Sequence, residues 1–398
     1  MKNKSLLALL GLLIVALLVP SVGQAAKAKP KKKKPAEITV MARNLYLGAD
    51  LGPAIEAGSI CEAVDAGGTI LNQVDATNFP ERAKLLAREI KKSKADLVGL
   101  QEVALWRFQE NSDFTGTEAT AERFDFLQSL QDELAAIGAD YTVAVEQNEF
   151  DQELPADRDG DNTTGEGPFG TTGPFACGAD EDGRLTMRDA ILVNDRSKLK
   201  VKNPQSGQFN TLYEVNLAGA LPIDVERGWN SLDVKVKGNK KRKGAKFKLV
   251  NTHLEAFGDP KIREAQAREL FAEGGPLQTK QQLVFVADIN SGNSEDRIGA
   301  PFSNPDDPLA YNALVNDFGL IRVGARQSCC YPDPNLQSST IGSYRLDHTV
   351  DHVMVKPKVK VLDSYITGDD PTVTTPSGLV SSDHGGVVST LKLKKKKK

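Results

Sequence analysis

Two hydrophobic periods alternate along the chain, one of strands and one of helices. "ITVMARNLYL" reads as a first strand. Asn78-Phe79-Pro80 then opens a helix, "ERAKLLAREIKKSKA", with apolar positions near helical spacing and lysines at its end. "DLVGLQEV" is short and apolar, the pattern of a buried strand. "AERFDFLQSLQDELAAIG" returns to helical spacing and stops at Gly138. Four strand-like runs follow, "YTVAVE", "DAILVN", "WNSLDVKV" and "FKLVNTHL". "PKIREAQARELFAEGG" is framed as a helix by a Pro start and a Gly-Gly stop. "LVFVADIN" is an apolar strand with a polar end, "PLAYNALVNDFG" a helix, and "VDHVMV" and "GGVVSTLKL" closing strands. Three polar stretches, 52–78, 150–188 and 291–344, read as loops or insertions.

This order is neither strict strand–helix repetition nor an all-strand meander. It predicts an α+β fold, two packed sheets with helices outside.

The ends of the chain follow a different rule. Lys2 and Lys4 precede an apolar run from Leu6 to Val19 and then "PSVGQAA", the order of a signal peptide. Cleavage is expected after Ala25, and the apolar run is short of the roughly 20 residues that a spanning helix needs. The predicted organisation is a signal peptide over 1–25, a Lys-rich linker over 26–36, one domain over 37–391 and a Lys-rich tail over 392–398. Export to the periplasm, the cell surface or the medium follows. The net charge of −3 hides an acidic body: fourteen of the 50 basic residues lie in the signal and tails, leaving 36 against 53 acidic ones, about −17. The lysine tails suit an anionic wall or lipid surface, or are solvated without a partner. An acidic body argues against tight non-specific binding to duplex DNA, which rests on phosphate neutralisation.

Four cysteines in an exported chain, Cys61, Cys177, Cys329 and Cys330, predict disulfides. Adjacent cysteines lie closer than the preferred span, so Cys61 and Cys177 are each expected to take one of the adjacent pair. The cysteines are too scattered for a zinc site.

Polar residues recur where apolar strands end. "TVMARN" ends on Asn44, "LVGLQE" on Glu102, "LVNTH" on His253, and "VFVADIN" on Asp288 and Asn290; "SSDH" supplies Asp383 and His384. The i, i+2 spacing puts Asp288 with Asn290, and Asn251 with His253, on one strand face. Singly each has a plain alternative: Asn44, Asp288 and Asn290 as turn formers, Glu102 as a surface carboxylate, His253 as a hydrogen-bonded core residue.

Together, and in this order, Asn44, "QE" at 101–102, "NTHL" at 251–254, "DIN" at 288–290, "VDHVMV" at 350–355 and "SDH" at 382–384 resemble the endonuclease/exonuclease/phosphatase, or DNase I-like, superfamily, in an exported bacterial form. The resemblance spans essentially the whole body. It implies a four-layer αββα sandwich and a monomeric, metal-dependent phosphoric ester hydrolase. Asn44, Glu102 and Asp383 are then expected at the metal, Mg²⁺ or alternatively Mn²⁺. His253 and His384 would transfer protons, Asp351 would orient His384, and Asp288 with Asn290 would position water and phosphate. His348 and His352 stay outside this set. The sequence departs from the family where Thr349-Val350 precede Asp351 and where Ala287 stands in "ADIN". "SCCYPDPNLQSS" is similar to a "TCC" loop of some exported members.

The substrate is a phosphodiester or phosphomonoester. A nucleic acid, a phospholipid cleaved as by a sphingomyelinase-like phospholipase C, and an inositol or sugar phosphate are the alternatives. A surface-binding module that has lost catalysis is the non-enzyme alternative. A separate stretch, "DRDGDN", resembles a calcium loop with Asp157, Asp159 and Asp161 as oxygen ligands, or is a plain acidic loop.

Overall fold

A computed structural model describes residues 35–110, 112, 118–160, 177–219, 221–238, 244–298 and 308–394. The expected signal peptide, most of the Lys-rich linker, Asp161 and the last four lysines lie outside the described residues.

The first half runs β1 (Ala36–Asn44), α1 (Gly52–Ile55), α2 (Ile60–Ala76), α3 (Phe79–Ser93), β2 (Leu97–Gln101), β3 (Leu105–Glu110), β4 (Ala121–Asp125), α4 (Phe126–Ala136), β5 (Tyr141–Ala156) and β6 (Glu181–Asn194). Then follow β7 (Leu199–Gln208), β8 (Tyr213–Leu217), β9 (Leu221–Val225), β10 (Gly228–Val236), β11 (Ala245–His253), α5 (Pro260–Glu269) and β12 (Gln282–Asp288). The chain closes with α6 (Leu309–Asn312), β13 (Ile321–Arg322), α7 (Ser338–Ile341), β14 (Asp351–Lys356), β15 (Lys360–Thr367) and β16 (Gly386–Leu393).

One sheet is ordered β15-β16-β1-β2-β6-β3-β4, with β5 also on β6; the other is β13-β14-β12-β11-β10-β7. Both are mixed. β1 and β2 pair in parallel, as do β11 and β12, and the connection inside each pair carries helix.

Alternation along the strands makes the layers. Ile38, Val40 and Ala42 of β1 meet Val284 and Val286 of β12, Phe247 and Leu249 of β11 and Val353 of β14 between the sheets. Met41 points the other way, into a second core with α2, α3 and α4. On the far side Leu283, Phe285 and Ala287 of β12 pack with Ala267 and Leu270 of the α5 segment. Each sheet thus buries both faces, and the fold is the expected αββα sandwich. The sheets approach closely at Gly99: a Cβ there would lie 2.3 Å from Asn251 Oδ1 and 2.5 Å from Val286 Cγ2.

Several sequence expectations change. Residues 52–78 are not a loop but hold α1 and the 17-residue α2, capped by Ser59, whose side chain accepts from Glu62 N. The helix read from Ala121 starts at Phe126; the preceding five residues are β4, and Asp125 caps α4 by accepting from Leu127 N and Gln128 N. The stretch 150–188 continues β5 and begins β6, and the helix at 308–319 is one α turn followed by a π turn over Ala313–Asp317. β3, β7, the β8–β9 hairpin and β15 are further strands. Lys392, assigned to the tail, lies in β16 opposite Glu37.

The cysteine pairing is also corrected. Cys61, in the first turn of α2, bonds Cys177 with their Cα atoms 5.2 Å apart, beside Val64 and Ala179. That span suits a disulfide. Cys329 and Cys330 bond each other.

Candidate active site

Strand register assembles the site. In the second sheet His253 is the partner of Asp288, and Asp288 of Asp351, so three polar strand-end residues form a row across three adjacent strands. In the first sheet Asn44 is level with Gln101, which places Glu102 just beyond the same edge. Glu102 sits at φ 54° and Asn290 at φ 46°, left-handed conformations that non-glycine residues seldom hold. Both fall immediately beyond a polar-ended strand.

Asn44 joins the two edges. Its Nδ2 donates to Glu102 Oε1 at 2.9 Å and to Asp288 Oδ2 at 3.0 Å, while its Oδ1 accepts from Tyr46 N at 2.8 Å. Glu102 Oε2 accepts from Leu47 N at 2.7 Å. His384 Nδ1 lies 2.9 Å from Asp351 Oδ2 and 3.7 Å from Asp288 Oδ2, and its Nε2 is 3.9 Å from Asp383 Oδ2. His253 Nε2 is 3.8 Å from Asp288 Oδ2 and 3.0 Å from Asn290 Nδ2. All eight residues singled out in the sequence therefore converge, with Asp288 at the centre. His348 pairs with Asp347 at 2.6 Å and His352 with Ser291 O at 2.9 Å, both outside the cluster.

The two site histidines have opposite surroundings. Burial alone would lower His384, but Asp351, Asp383 and Asp288 raise it well above the ordinary imidazole value. Burial holds His253 well below that value, with Arg227 and His384 adding to the effect. Burial and then Asp351 push the Asp288 carboxyl up to about 7, and burial pushes Asp383 up to about 6.

The chain is similar to endonuclease/exonuclease/phosphatase proteins of known structure. One, a family protein from Bacteroides thetaiotaomicron, is 15% identical, with 90% of this chain and 98% of that one covered and a TM-score of 0.46. Another, from Beutenbergia cavernae, is 14% identical over 90% and 72% of the two chains, TM-score 0.48. The human Nocturnin catalytic domain is 17% identical over 90% and 96%, TM-score 0.44. No protein-family model and no curated protein sequence matches the chain.

Arginines that the motif reading passed over support the site. Arg82 is fully buried and donates to Thr77 O, Leu45 O, Tyr46 O and Ser381 O, tying the loop after Asn44 to the loop before Asp383. Arg43 is also fully buried; it donates to His384 O and Ser381 Oγ and pairs with Glu89. Arg227 Nη1 lies 3.3 Å from His253 Nδ1, and its Nε donates to Glu255 at 3.2 Å. A neutral imidazole has one acceptor nitrogen, so His253 accepts from Arg227 or from Asn290, not both. Nothing in "ERGW" distinguishes Arg227 from a strand-end surface charge. The Cys329 and Cys330 sulfurs, each 3.6 Å from His384 Nε2, were also not assigned to the site.

The donors fit a hard cation. Glu102, Asp383 and Asp288 offer oxygens, whereas Asn44, expected at the metal, turns its Nδ2 to Glu102 and Asp288 and its Oδ1 to Tyr46 N; Asp351 Oδ1 is buried without a hydrogen-bond partner among the described residues. Of the expected calcium-loop residues, Asp157 and Asp159 lie with Asp180, which was not expected there: their oxygens are within 4.8 Å of one another, and Asp157 Oδ1 also accepts from Gly160 N.

Proposed function

We propose that the protein is a divalent-cation-dependent phosphoric ester hydrolase of the endonuclease/exonuclease/phosphatase superfamily, acting on a phosphodiester or phosphomonoester outside the cytoplasm. The observation that carries this is the His384–Asp351 pair, at 2.9 Å, beside a central Asp288 that also borders His253. Ester hydrolysis needs a proton taken from water and a proton given to the leaving oxygen. Asp288, pushed up to about 7, is matched to accept a proton near neutral pH. His384, kept protonated by its carboxylates, is the donor, with Asp351 accepting its Nδ1–H and leaving Nε2 for the leaving group. His253 stays neutral and, with Asn290, orients the phosphate.

Glu102 and Asp383 would hold Mg²⁺, or Mn²⁺, with Asn44 positioning Glu102 through its amide nitrogen. The bound cation supplies charge stabilisation on phosphate oxygen. Hydrolysis of bis-p-nitrophenyl phosphate with Mg²⁺, and its loss with EDTA, separates this reading from a binding module without catalysis. A panel of DNA, RNA, sphingomyelin and inositol phosphates then sorts the substrates. Export is proposed from the first 25 residues, and an intact Met1 on protein recovered from the source cells contradicts it.

A further inference from the structure

Beside the site is a cavity of about 120 Å³ that the proposed chemistry does not use. It lies among α1, α2, β5, β6 and the β8–β9 hairpin. Of its lining residues only Gln152 and Arg227 have polar side chains, apart from the Trp106 indole N–H, and that donates to Leu47 O at 2.8 Å. Such a cavity does not hold water well: one of about 150 Å³ lined by Leu, Ile and Phe stays dry and binds benzene.

Two of its walls are one contact away from the site. Arg227 lines the cavity and approaches His253 Nδ1 at 3.3 Å. Trp106 lines it and holds Leu47, whose N–H donates to Glu102. Arg227, paired with Glu255, stands at the boundary between cavity and site. Another wall is the hairpin, whose Val215, Leu217 and Ile223 cluster with Ala63 of α2 and pack with Ile55 of α1 and with Phe150 and Leu154 of β5.

We propose that this cavity takes a short alkyl chain or a single ring esterified to the substrate phosphate, so that the natural substrate is an apolar phosphate ester. The proposal rests on the phosphoesterase reading of the adjoining site. The test is calorimetric titration of the full-length, Mg²⁺-loaded protein with methyl, n-butyl and n-hexyl phosphate. Affinity should rise about fourfold per methylene until the cavity is filled. Ala54→Phe and Ile223→Trp, which fill the space from different walls, should abolish the rise while leaving methyl phosphate binding unchanged. Two variants are used so that misfolding of one, seen by circular dichroism, leaves the other. Equal affinity for the three phosphates, no binding of any of them, or a chain-length dependence that survives both substitutions overturns the proposal. If bis-p-nitrophenyl phosphate is hydrolysed in that case, the phosphoesterase reading stands without the cavity. Chain-length dependence lost in the variants, together with no ester hydrolysis, upholds the cavity and removes the phosphoesterase reading.

Discussion

Replacing His352 with Gln should flatten the acid side of the protein's stability profile. The His352 ring is fully buried, its Nε2 2.9 Å from Ser291 O, and its Nδ1 has no hydrogen-bond partner among the described residues. Burial, reinforced by Arg322, holds the ring down at about 4 against the opposing pull of Ser291, Asp351 and Asp296. The unfolded chain titrates near 6.5, so above that pH the ring is neutral in both states. Between 6.5 and 4 only the unfolded chain takes the proton, and stability falls as pH falls. The gap between 6.5 and about 4, at about 1.4 kcal/mol per pH unit, amounts to about 3 kcal/mol. Most of it, about 2 to 3 kcal/mol, is lost between pH 7.5 and 4.5. Gln keeps an N–H near the Nε2 position for Ser291 and does not titrate. Urea unfolding followed by tryptophan fluorescence at several pH values should therefore show the variant losing less stability than wild type by that amount. Other titrating groups are common to both proteins and cancel in the comparison. Parallel profiles for the two proteins would refute the assignment of this proton to His352.

His384→Ala should lower kcat on bis-p-nitrophenyl phosphate by about two or more powers of ten with a far smaller change in KM, because the imidazole acts in the transition state. His253→Ala should show a comparable loss, and His348→Ala should retain most activity; near-normal kcat in His384→Ala would make the "SDH" turn structural. Glu102→Gln should keep the fold, by circular dichroism, and lose most Mg²⁺-dependent turnover, and unchanged activity at saturating Mg²⁺ would remove Glu102 from the metal site. Arg82→Met orphans four buried carbonyls and should cost more than about 4 kcal/mol in urea unfolding, whereas a loss under about 1 kcal/mol would show that the clamp between the two loops contributes little.

The sheets and the strand-end residues were legible because both obey short-range rules. Val284, Phe285 and Val286 are apolar on both faces since each face meets another layer, and a polar residue ending such a strand stands at the sheet's edge. α2 was hidden by its own sequence. Gly67-Gly68 reads as a break by propensity, yet the helix needs it there. A Cβ on Gly67 would lie 2.8 Å from Pro155 O, and one on Gly68 1.5 Å from Asp157 O. Those carbonyls lie at and just beyond the far end of β5, 88 or 89 residues away in sequence, and no local pattern announces them. The cysteine pairing failed for the same reason: the rule about adjacent cysteines was local, while the approach of Cys177 to α2 is tertiary.

What the sequence left open at the site is the difference between its two histidines. "NTH" and "SDH" look alike, each an imidazole two residues after a small polar side chain. Three-dimensional neighbours separate them. His384 faces Asp351 across 33 residues of chain, and His253 faces Arg227 across 26. Against burial, carboxylates with Asp351 on Nδ1 keep a proton on the first ring; burial, with a guanidinium on Nδ1 adding to it, keeps one off the second. Asp288 lies between them, 3.7 Å from one and 3.8 Å from the other. The two rings thus border one carboxyl with opposite tendencies to hold a proton, a difference set by burial, by the carboxylates around His384 and by Arg227, a residue that no motif contains.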